Sequence, residues 1–261
     1  MSGLPNLGNT CYINSIIQCL RYQRHFVRHL KDYNSEKDST FHKNFIELMF
    51  DGATDQHLRD FVFQLAVENK EFQLFKQCDA HELFLYLIDD FYEKHDLTNP
   101  FKGTLESKLF CECGYESITK EEFHSLSVNI KDSVASMLEN YQEPEEMDMK
   151  CKCSKQLKKK LSIVRKPSIF VMHLKRFTGI NEKIKDKVKL DQPHNYKLTA
   201  ICNHTGETEG GHYTCAVLRG HGGWYMCNDI HTMELPHLPE KSHLPYILFF
   251  ERYKRKLKDL K

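Results

Sequence analysis

The chain has 261 residues, and 40% of them are hydrophobic, which is enough to build one large core or two small ones. Its 37 basic and 36 acidic residues leave a net charge of +1, so charge gives no general reason to expect binding to nucleic acid or to a membrane surface. No apolar run approaches the roughly 18–20 residues that span a bilayer.

Residues 1–95 are predicted to be mainly helical. The apolar residues that follow Cys11 recur at the spacing of one helix face, which predicts a helix that begins there. Thr10 precedes this stretch and is a candidate N-cap. The apolar residues of the stripe are Ile13, Ile16, Ile17 and Leu20.

A second and longer helix is predicted after Asp79. An apolar stripe runs from Ala80 to Phe91 with the helical period. Asp79 and Glu82, three positions apart at the start of the stripe, resemble a capping pair.

From about residue 100 the pattern changes to short strand-like segments and two C-x-C pairs. The acidic stretch 139–150 lies between the pairs and is predicted to be a loop. The basic segment 254–261 is predicted to be a flexible tail. Further strands, rich in β-branched and aromatic residues, are predicted in 167–177, 212–230 and 245–253.

Ten cysteines occur in a chain whose first residues lack the pattern of a secretory signal, so we expect mostly reduced thiols. Cys11 stands out because the positive end of a helix dipole lowers a thiol pKa and the free N–H groups face a developing oxyanion. Cys19 lies two turns further along and has neither advantage. Position alone leaves Cys11 as either a nucleophile or a helix-start cysteine without chemistry.

A cysteine nucleophile needs a base, and the base needs an orienting group. His212 is the clearest of the 15 histidines because two glycines precede it and allow a substrate backbone to approach closely. The next predicted strand ends at Asn228 and Asp229, which alternation places on opposite faces. Only one of the two can therefore face His212 across a hairpin.

Four motifs together cover nearly the whole chain. GLPNLGNTCYINSIIQCL resembles the cysteine box of the ubiquitin-specific proteases, the papain-like deubiquitinases, and EGGHYTCAV followed by WYMCNDI resembles their histidine box. QCDAHELFLYLID resembles the family's Gln-x-Asp-x-x-Glu helix, and PSIFVMHLKRF resembles the strand before the histidine box. The resemblance implies a papain-like α+β fold. It also implies thiol-dependent hydrolysis of the isopeptide or peptide bond after the C-terminal glycine of ubiquitin, with no catalytic cofactor.

The resemblance assigns a role to each residue that matches the motifs. Cys11 would be the nucleophile and His212 the general base and acid. Asn228 matches the residue that orients the imidazole, and Asp229 is its rival or a second assisting group. Asn6, five residues before the cysteine, matches the asparagine that donates to the oxyanion. The neighbouring asparagines, interpreted as turn and helix-surface residues, are Asn9 and Asn14.

Substrate recognition is also implied by the resemblance. Ubiquitin ends in Arg-Leu-Arg-Gly-Gly, a basic and extended tail that carboxylates beside a narrow channel would bind. Asp79 and Glu82 match family positions that bind this tail, and helix capping is their alternative role. The candidates for the channel wall are Gly210, Gly211 and Tyr213.

The family often binds a structural Zn²⁺ through two C-x-x-C pairs at the tip of a β-ribbon. Here both pairs are C-x-C, with 37 residues between them, so the turn around a metal lacks one residue on each side. Either a structural zinc is held by four thiolates, or the four cysteines are reduced and free of metal. They are Cys111, Cys113, Cys151 and Cys153.

The resemblance predicts one catalytic domain in a right-hand arrangement, with the active site between thumb and palm. The thumb is helical, the fingers are a β-ribbon, and the palm is a sheet. The predicted ranges are about 1–99 for the thumb, about 100–165 for the fingers, about 166–253 for the palm and 254–261 for the basic tail.

The implied partners are ubiquitin and ubiquitinated proteins, bound by a monomer, with neither nucleic acid nor membrane. The expected location is the cytoplasm, the nucleus or both, or the host-cell cytoplasm for a viral enzyme. The rival functions are a non-catalytic ubiquitin-binding module, a protease for a ubiquitin-like modifier, and a zinc-ribbon interaction protein. A binding module would not require the intact set of Cys11, His212, Asn228 and Asn6, and a zinc ribbon leaves the helical half unexplained.

Overall fold

The computed structural model describes residues 2–31, 33, 38–177, 182–207, 210–220 and 222–253. The predicted basic tail, 254–261, lies outside the described residues. Within the described ranges, no helix is long and apolar enough to cross a membrane. The helices are α1 (Cys11–Arg21), α2 (Arg24–Lys31), α3 (Thr40–Glu47), α4 (Asp55–Glu68), α5 (Ala80–Lys94) and α6 (Val134–Tyr141).

The strands follow the first five helices and form three sheets. They are β1 (Gly103–Phe110), β2 (Glu116–Phe123), β3 (Leu126–Asn129), β4 (Glu145–Lys150), β5 (Gln156–Arg165), β6 (Ile169–Lys175), β7 (Val188–Lys189), β8 (Tyr196–Glu207), β9 (Gly210–Leu218), β10 (Trp224–Asn228), β11 (His231–Leu235), β12 (Lys241–Ser242) and β13 (Pro245–Arg252). The seven-stranded sheet has the order β11-β10-β9-β8-β13-β6-β3, and the four-stranded sheet has the order β2-β1-β5-β4. Strands β7 and β12 form a separate pair.

Helix α1 is the central element of the helical part, the thumb. The apolar stripe predicted after Cys11 is buried against α5 and the seven-stranded sheet, and Ile16, Ile17 and Leu20 have no exposed surface. Burial of such side chains contributes roughly 1.5–3 kcal/mol each. The helix start, and Cys11 with it, is therefore fixed at the boundary between the thumb and the sheet.

The seven-stranded sheet, the palm, has a separate apolar cluster on each face. Alternating residues of β13 show this arrangement: Phe249 packs in the cluster that contains α1 and α5, and Phe250 packs in the cluster that contains α6. The face toward the thumb carries the first cluster. As a result, β9 and β10 present their ends next to the start of α1.

The four-stranded sheet forms the fingers, and its composition differs from the predicted ribbon over about 100–165. Strand β3 pairs with β6 in the palm, and α6 packs on the palm's outer face, because both bury apolar side chains such as Val128 and Met137 there. The acidic stretch 139–150, predicted to be a loop, instead completes α6 and forms β4. Strand β4 sits at the edge of the sheet and pairs with the lysine-rich β5, which places acidic side chains beside basic ones.

Candidate active site

Cys11 is the first residue of α1 and is 3% exposed. Thr10 occupies the N-cap position, but its hydroxyl accepts a hydrogen bond from the N–H of Leu7 and does not cap the helix. Burial raises the pKa of the Cys11 thiol, and the charge of Asp229 adds to this, against a lowering contribution from the backbone N–H of Tyr213. The expectation that the helix start would lower this pKa is wrong, because burial outweighs the lowering contributions of the backbone N–H groups of Tyr213, Tyr12 and Cys11. The thiol therefore needs a base.

His212 lies on β9 and Asn228 ends the adjacent strand β10. The His212 Nε2–H donates to Oδ1 of Asn228 at 2.7 Å. Because an amide oxygen only accepts, the ring proton is on Nε2, and Nδ1 is left as a proton acceptor. Within the described residues the thiol and the ring make no direct hydrogen bond. Helix α1, which begins at Cys11, nevertheless packs against β9, and the backbone N–H of Tyr213 lowers the pKa of the thiol, so the strand of His212 lies beside Cys11.

Asp229 does not orient the imidazole. Its Oδ2 accepts a hydrogen bond from Asn6 Nδ2 at 2.9 Å, and its Oδ1 accepts one from Asn14 Nδ2 at 2.8 Å. Asp229 lies in the two-residue turn between β10 and β11 with φ +50°, and its carbonyl accepts from the N–H of Leu4. The turn conformation thus directs the Asp229 carboxylate toward the segment that precedes Cys11.

Asn6 is held at both ends of its side-chain amide. Its Oδ1 accepts from the N–H of Gly8 at 3.0 Å and of Thr10 at 3.2 Å, so the loop before Cys11 folds around it. One hydrogen of Nδ2 binds Asp229, and these contacts leave the second hydrogen for another acceptor. Asn6 therefore has the fixed orientation that an oxyanion donor needs.

Asn14 was interpreted as a helix-surface residue, and that interpretation is wrong. The side chain is 2% exposed, and besides Asp229 it donates to the backbone carbonyls of Leu4 and Pro5. Its position three residues after Cys11 places it on the same helix face as the thiol, which is a signal present in the sequence. Asn9 does lie in a turn, with φ +56°, and donates to the carbonyl of Phe75.

A cavity of about 310 Å³ lies on the boundary between the thumb and the palm, next to the strand of His212. The Gln77 side chain donates to the Gly211 carbonyl at 2.6 Å and so connects the two parts. Sequence reasoning did not identify Gln77, Cys78, Phe177, His204 and Tyr246 as lining residues. The complete lining is Gln77, Cys78, Asp79, Phe177, His204, Gly211, Tyr213 and Tyr246.

The predicted channel residues divide into two groups. Asp79, Gly211 and Tyr213 line the cavity. Glu82 does not, because it lies on the exposed side of the first turn of α5, and Gly210 does not, because it stands at the exposed start of β9 with no atom near the site of a Cβ. Both exposed residues remain outside the walls that the structure shows.

Asp79 caps α5, as its spacing from Glu82 indicated. Its Oδ1 accepts from the N–H of His81 at 2.6 Å and of Glu82 at 3.2 Å, and its Oδ2 accepts from the hydroxyl of Tyr246. A carboxylate has about four lone-pair sites, so these three bonds leave capacity for a basic group. Asp79 is thus both a structural cap and a negative group at the cavity wall.

The two C-x-C pairs meet at the tip of the fingers. The four sulfur atoms lie within 4.8 Å of one another, with 3.5 Å between Cys111 and Cys153 and 3.6 Å between Cys113 and Cys151. Four sulfurs at 2.3 Å from one zinc ion would be about 3.8 Å apart, so the cluster needs little adjustment to bind zinc. The four cysteines therefore fit a structural zinc site.

The residue after each C-x-C pair closes the turn around the cysteines, which explains how these pairs can replace the C-x-x-C pairs that the family often has. Gly114, with φ +93°, donates its N–H to the Cys111 carbonyl, and Ser154, with φ +67°, donates to the Cys151 carbonyl. Each left-handed residue closes the turn that the shorter pair leaves open. The two turns connect β1 with β2 and β4 with β5, so one metal would join both hairpins.

We expect the purified protein to carry about one zinc ion per chain. Replacing Cys113 by Ser should release the metal, because a tetrahedral site loses one of four ligands, and should loosen the fingers more than it affects the chemistry of Cys11. Elemental analysis of protein purified without chelator measures this, with Lys152→Ser, an exposed change at the same tip, as the matched control. A zinc content near zero in the unaltered protein, with four titratable thiols, would contradict the expectation.

A cysteine at the start of a buried helix beside a histidine strand, with an asparagine on the imidazole, is the arrangement of the papain-like cysteine hydrolases. The family model described as "Ubiquitin carboxyl-terminal hydrolase" matches residues 2–250. The chain belongs to this family.

Curated relatives from several organisms are similar to almost the whole chain. Ubiquitin carboxyl-terminal hydrolase 25 of Arabidopsis thaliana is 30% identical over 96% of this chain and 47% of its own length. Ubiquitin carboxyl-terminal hydrolase 2 of Homo sapiens is 26% identical over 96% of this chain and 55% of its own length. The chain therefore spans about half the length of these relatives.

Solved structures share the fold. The SAGA Ubp8/Sgf11/Sus1/Sgf73 DUB module bound to ubiquitin aldehyde contains a chain that superposes with a TM-score of 0.84, at 22% identity, over 98% of this chain and 70% of that chain. The module bound to monoubiquitin gives a TM-score of 0.85 at 23% identity, with the same coverage. The papain-like α+β fold predicted from the sequence is confirmed.

Proposed function

We propose that the protein is a cysteine-type deubiquitinase, which hydrolyses the isopeptide or peptide bond after the C-terminal glycine of ubiquitin. The observation that carries the proposal is the hydrogen bond from His212 Nε2 to Asn228, which leaves Nδ1 as a base on the strand that packs against the helix of Cys11. The names of the relatives and the ubiquitin aldehyde in a structure of the same fold support the choice of substrate.

In the proposed reaction His212 Nδ1 takes the proton of Cys11, and the thiolate attacks the carbonyl of the terminal glycine. The raised pKa of the buried thiol makes this proton transfer necessary, since little thiolate forms without a base. His212 then protonates the leaving amine, and water hydrolyses the thioester. Asn228 keeps the ring in the tautomer that serves both steps.

Asn6 supplies the side-chain donor to the oxyanion. The second hydrogen of its Nδ2 and the N–H of Cys11 are the donors that the resemblance implies. Asp229 holds Asn6 in place, and Asn14 holds Asp229, so the structure supports a positioning role for Asp229 in place of a bond to the imidazole.

The cavity beside Gly211 is the proposed channel for the extended tail of ubiquitin. It has a carboxylate at Asp79 for a basic side chain and a backbone approach at Gly211 that leaves no room for a Cβ. Ubiquitinated proteins are the proposed partners, and the enzyme is proposed to act as a monomer. A reducing compartment, the cytoplasm or the nucleus, is proposed because four thiols must stay available for zinc.

The proposal is tested with purified protein and ubiquitin that carries a fluorogenic amine on its C-terminal carboxyl group. We expect steady hydrolysis that stops when the thiol is alkylated. The same amide of a ubiquitin-like modifier is the comparison, and faster turnover of that substrate would transfer the proposal to the other modifier. No hydrolysis above the rate of alkylated protein would refute both.

Asp79→Asn should raise KM for the ubiquitin amide more than for a short Gly-Gly amide that lacks the tail arginines. The reason is that the amide keeps most of the capping geometry and loses the charge, and a charge-assisted hydrogen bond contributes roughly 1.5–3 kcal/mol. Steady-state kinetics on the two substrates measures the difference. Equal effects on both, together with a lower melting temperature, would show that Asp79 only caps α5.

A further inference from the structure

Lys183 is a buried cation beside the cavity. Only 7% of the residue is exposed, although it lies between exposed segments. Its ammonium donates to His204 Nδ1 at 2.9 Å, to the His204 carbonyl at 2.8 Å and to the Gly206 carbonyl at 3.0 Å. All three N–H donors are thus used, and within the described residues none of them goes to a carboxylate. Burial of a charge without an oppositely charged partner lowers stability, so a functional role of Lys183 would explain why it is buried here.

The contact with Nδ1 fixes the protonation of His204. An ammonium group donates and cannot accept, so Nδ1 must carry a lone pair. The neutral ring then has its proton on Nε2. Burial, the charge of Lys183 and, to a smaller extent, His212 lower the pKa of His204 to about 4. The carboxylates of Asp79 and Glu207 act in the opposite direction but do not compensate. The ring therefore stays neutral across the physiological range.

The Nε2 atom of His204 lies at the cavity wall over Gly211. A Cβ built on Gly211 would fall 2.1 Å from it, so Gly211 is the residue that allows the ring to sit there. The rings of Phe177, Tyr213 and Tyr246 pack around the imidazole. His204 is 3% exposed and lines this cavity, so a polypeptide backbone that entered the cavity toward His212 would pass the ring.

We propose that Lys183 is a positioning residue: it locks His204 in the neutral form with the proton on Nε2, so that the ring offers an N–H donor to a backbone carbonyl of the extended substrate tail. This inference rests on the proposed function for the identity of the tail. The locked tautomer itself follows from the contacts of Lys183. The neutral ring also avoids a cation beside a basic tail.

Lys185 provides a matched control on the same segment. Its ammonium contacts the Glu207 carboxylate at 2.7 Å, so it also connects this segment to the hairpin of β8 and β9. However, its side chain is 67% exposed, and its bond does not involve His204. Lys185→Met removes a cation from the segment without altering the imidazole.

The first test uses protein labelled with ¹⁵N in its histidine rings. For the wild type we expect His204 to show a protonated Nε2 and an unprotonated Nδ1 between pH 5 and pH 8, with no titration. In Lys183→Met the ring should lose its fixed tautomer and its pKa should rise, since the charge of Lys183 is gone while burial still lowers the pKa, whereas Lys185→Met should resemble the wild type. A wild-type ring with its proton on Nδ1, or one that titrates near pH 6.5, would overturn the proposal without any variant.

The second test is kinetic. Lys183→Met should raise KM for the ubiquitin amide about 2- to 10-fold, the range expected for one hydrogen bond, and leave kcat within about twofold. If the Lys183 and Lys185 variants showed the same decrease in kcat and the same increase in KM, Lys183 would only connect two segments of the fold, and the proposal would be contradicted. If the wild type does not hydrolyse the ubiquitin amide, the proposed function fails, and the NMR result still decides the role of Lys183.

Discussion

Replacing Cys11 by alanine is expected to abolish hydrolysis of a ubiquitin C-terminal amide and to leave ubiquitin binding largely intact. No covalent intermediate can form without the sulfur, whereas the cavity and the fingers are unchanged. The loss should approach the limit of detection, as measured by the initial rate at saturating substrate together with a binding isotherm. Activity above a few per cent of the wild-type rate would place the nucleophile elsewhere.

Cys19→Ala is the matched control for this substitution. Cys19 lies on the same helix, eight residues further along, and has no exposed surface. Removing its thiol from the core should lower stability modestly and leave most of the rate, since the side chain packs away from the site. A complete loss of activity with an unchanged melting temperature would contradict the separate roles of the two cysteines.

Asn228→Ala is expected to have the second largest effect, a decrease in kcat of up to about 10⁴-fold. Without the acceptor for Nε2–H the imidazole is free to rotate and to adopt the other tautomer, and a comparable loss is known for the orienting residue of a serine protease triad. Steady-state kinetics measures the change. Asn228→Asp is the conservative variant, and it should retain much of the rate because it keeps an oxygen acceptor for the ring.

Asp229→Ala should cost less, about 10²- to 10³-fold in kcat, which is the range for one oxyanion donor. The reason is that Asp229 holds the Asn6 amide and does not contact His212. Asn6→Ala should have a similar effect, and the double variant should lose little more than either single one. A larger loss for Asp229→Ala than for Asn228→Ala would transfer the orienting role to Asp229.

The parts of the site that the sequence predicted are those encoded in local patterns. Cys11 starts a strongly periodic helix, and His212 and Asn228 lie in diagonal positions on the same face of two neighbouring antiparallel strands joined by a short turn. Local alternation could show that only one of Asn228 and Asp229 faces the ring. It could not show where the other points, because Asn6 and Asn14 are more than 200 residues away from Asp229 along the chain.

The lining of the cavity was predicted only in part, for the same physical reason. Asp79, Gly211 and Tyr213 were predicted from their motifs, whereas Phe177 ends a motif to which the resemblance assigned no site role, and Tyr246 comes from a strand whose pattern indicates only burial. The sequence likewise did not predict that burial raises the pKa of Cys11. That outcome depends on how closely the thumb packs against the palm, which no local pattern encodes.

The prediction of which segments form the fingers was wrong where the chain passes from one sheet to the other. The segment that holds β3 and α6 lies between finger strands in the sequence and packs on the palm in space. Its strand was predicted, but its parallel partner β6 begins 40 residues after β3 ends, and such non-local pairing leaves no short-range signal. The acidic composition of 139–150 indicated a loop because β4 is an exposed edge strand.

The most direct test of the account is a reaction between the protein and ubiquitin that carries a C-terminal electrophile, followed by intact mass spectrometry and peptide mapping. We predict one covalent adduct per chain on Cys11, none in Cys11→Ala, and slower labelling by the corresponding probes of ubiquitin-like modifiers. Labelling that fails with ubiquitin, or an adduct that maps to Cys78 in the cavity wall, would contradict the central claim.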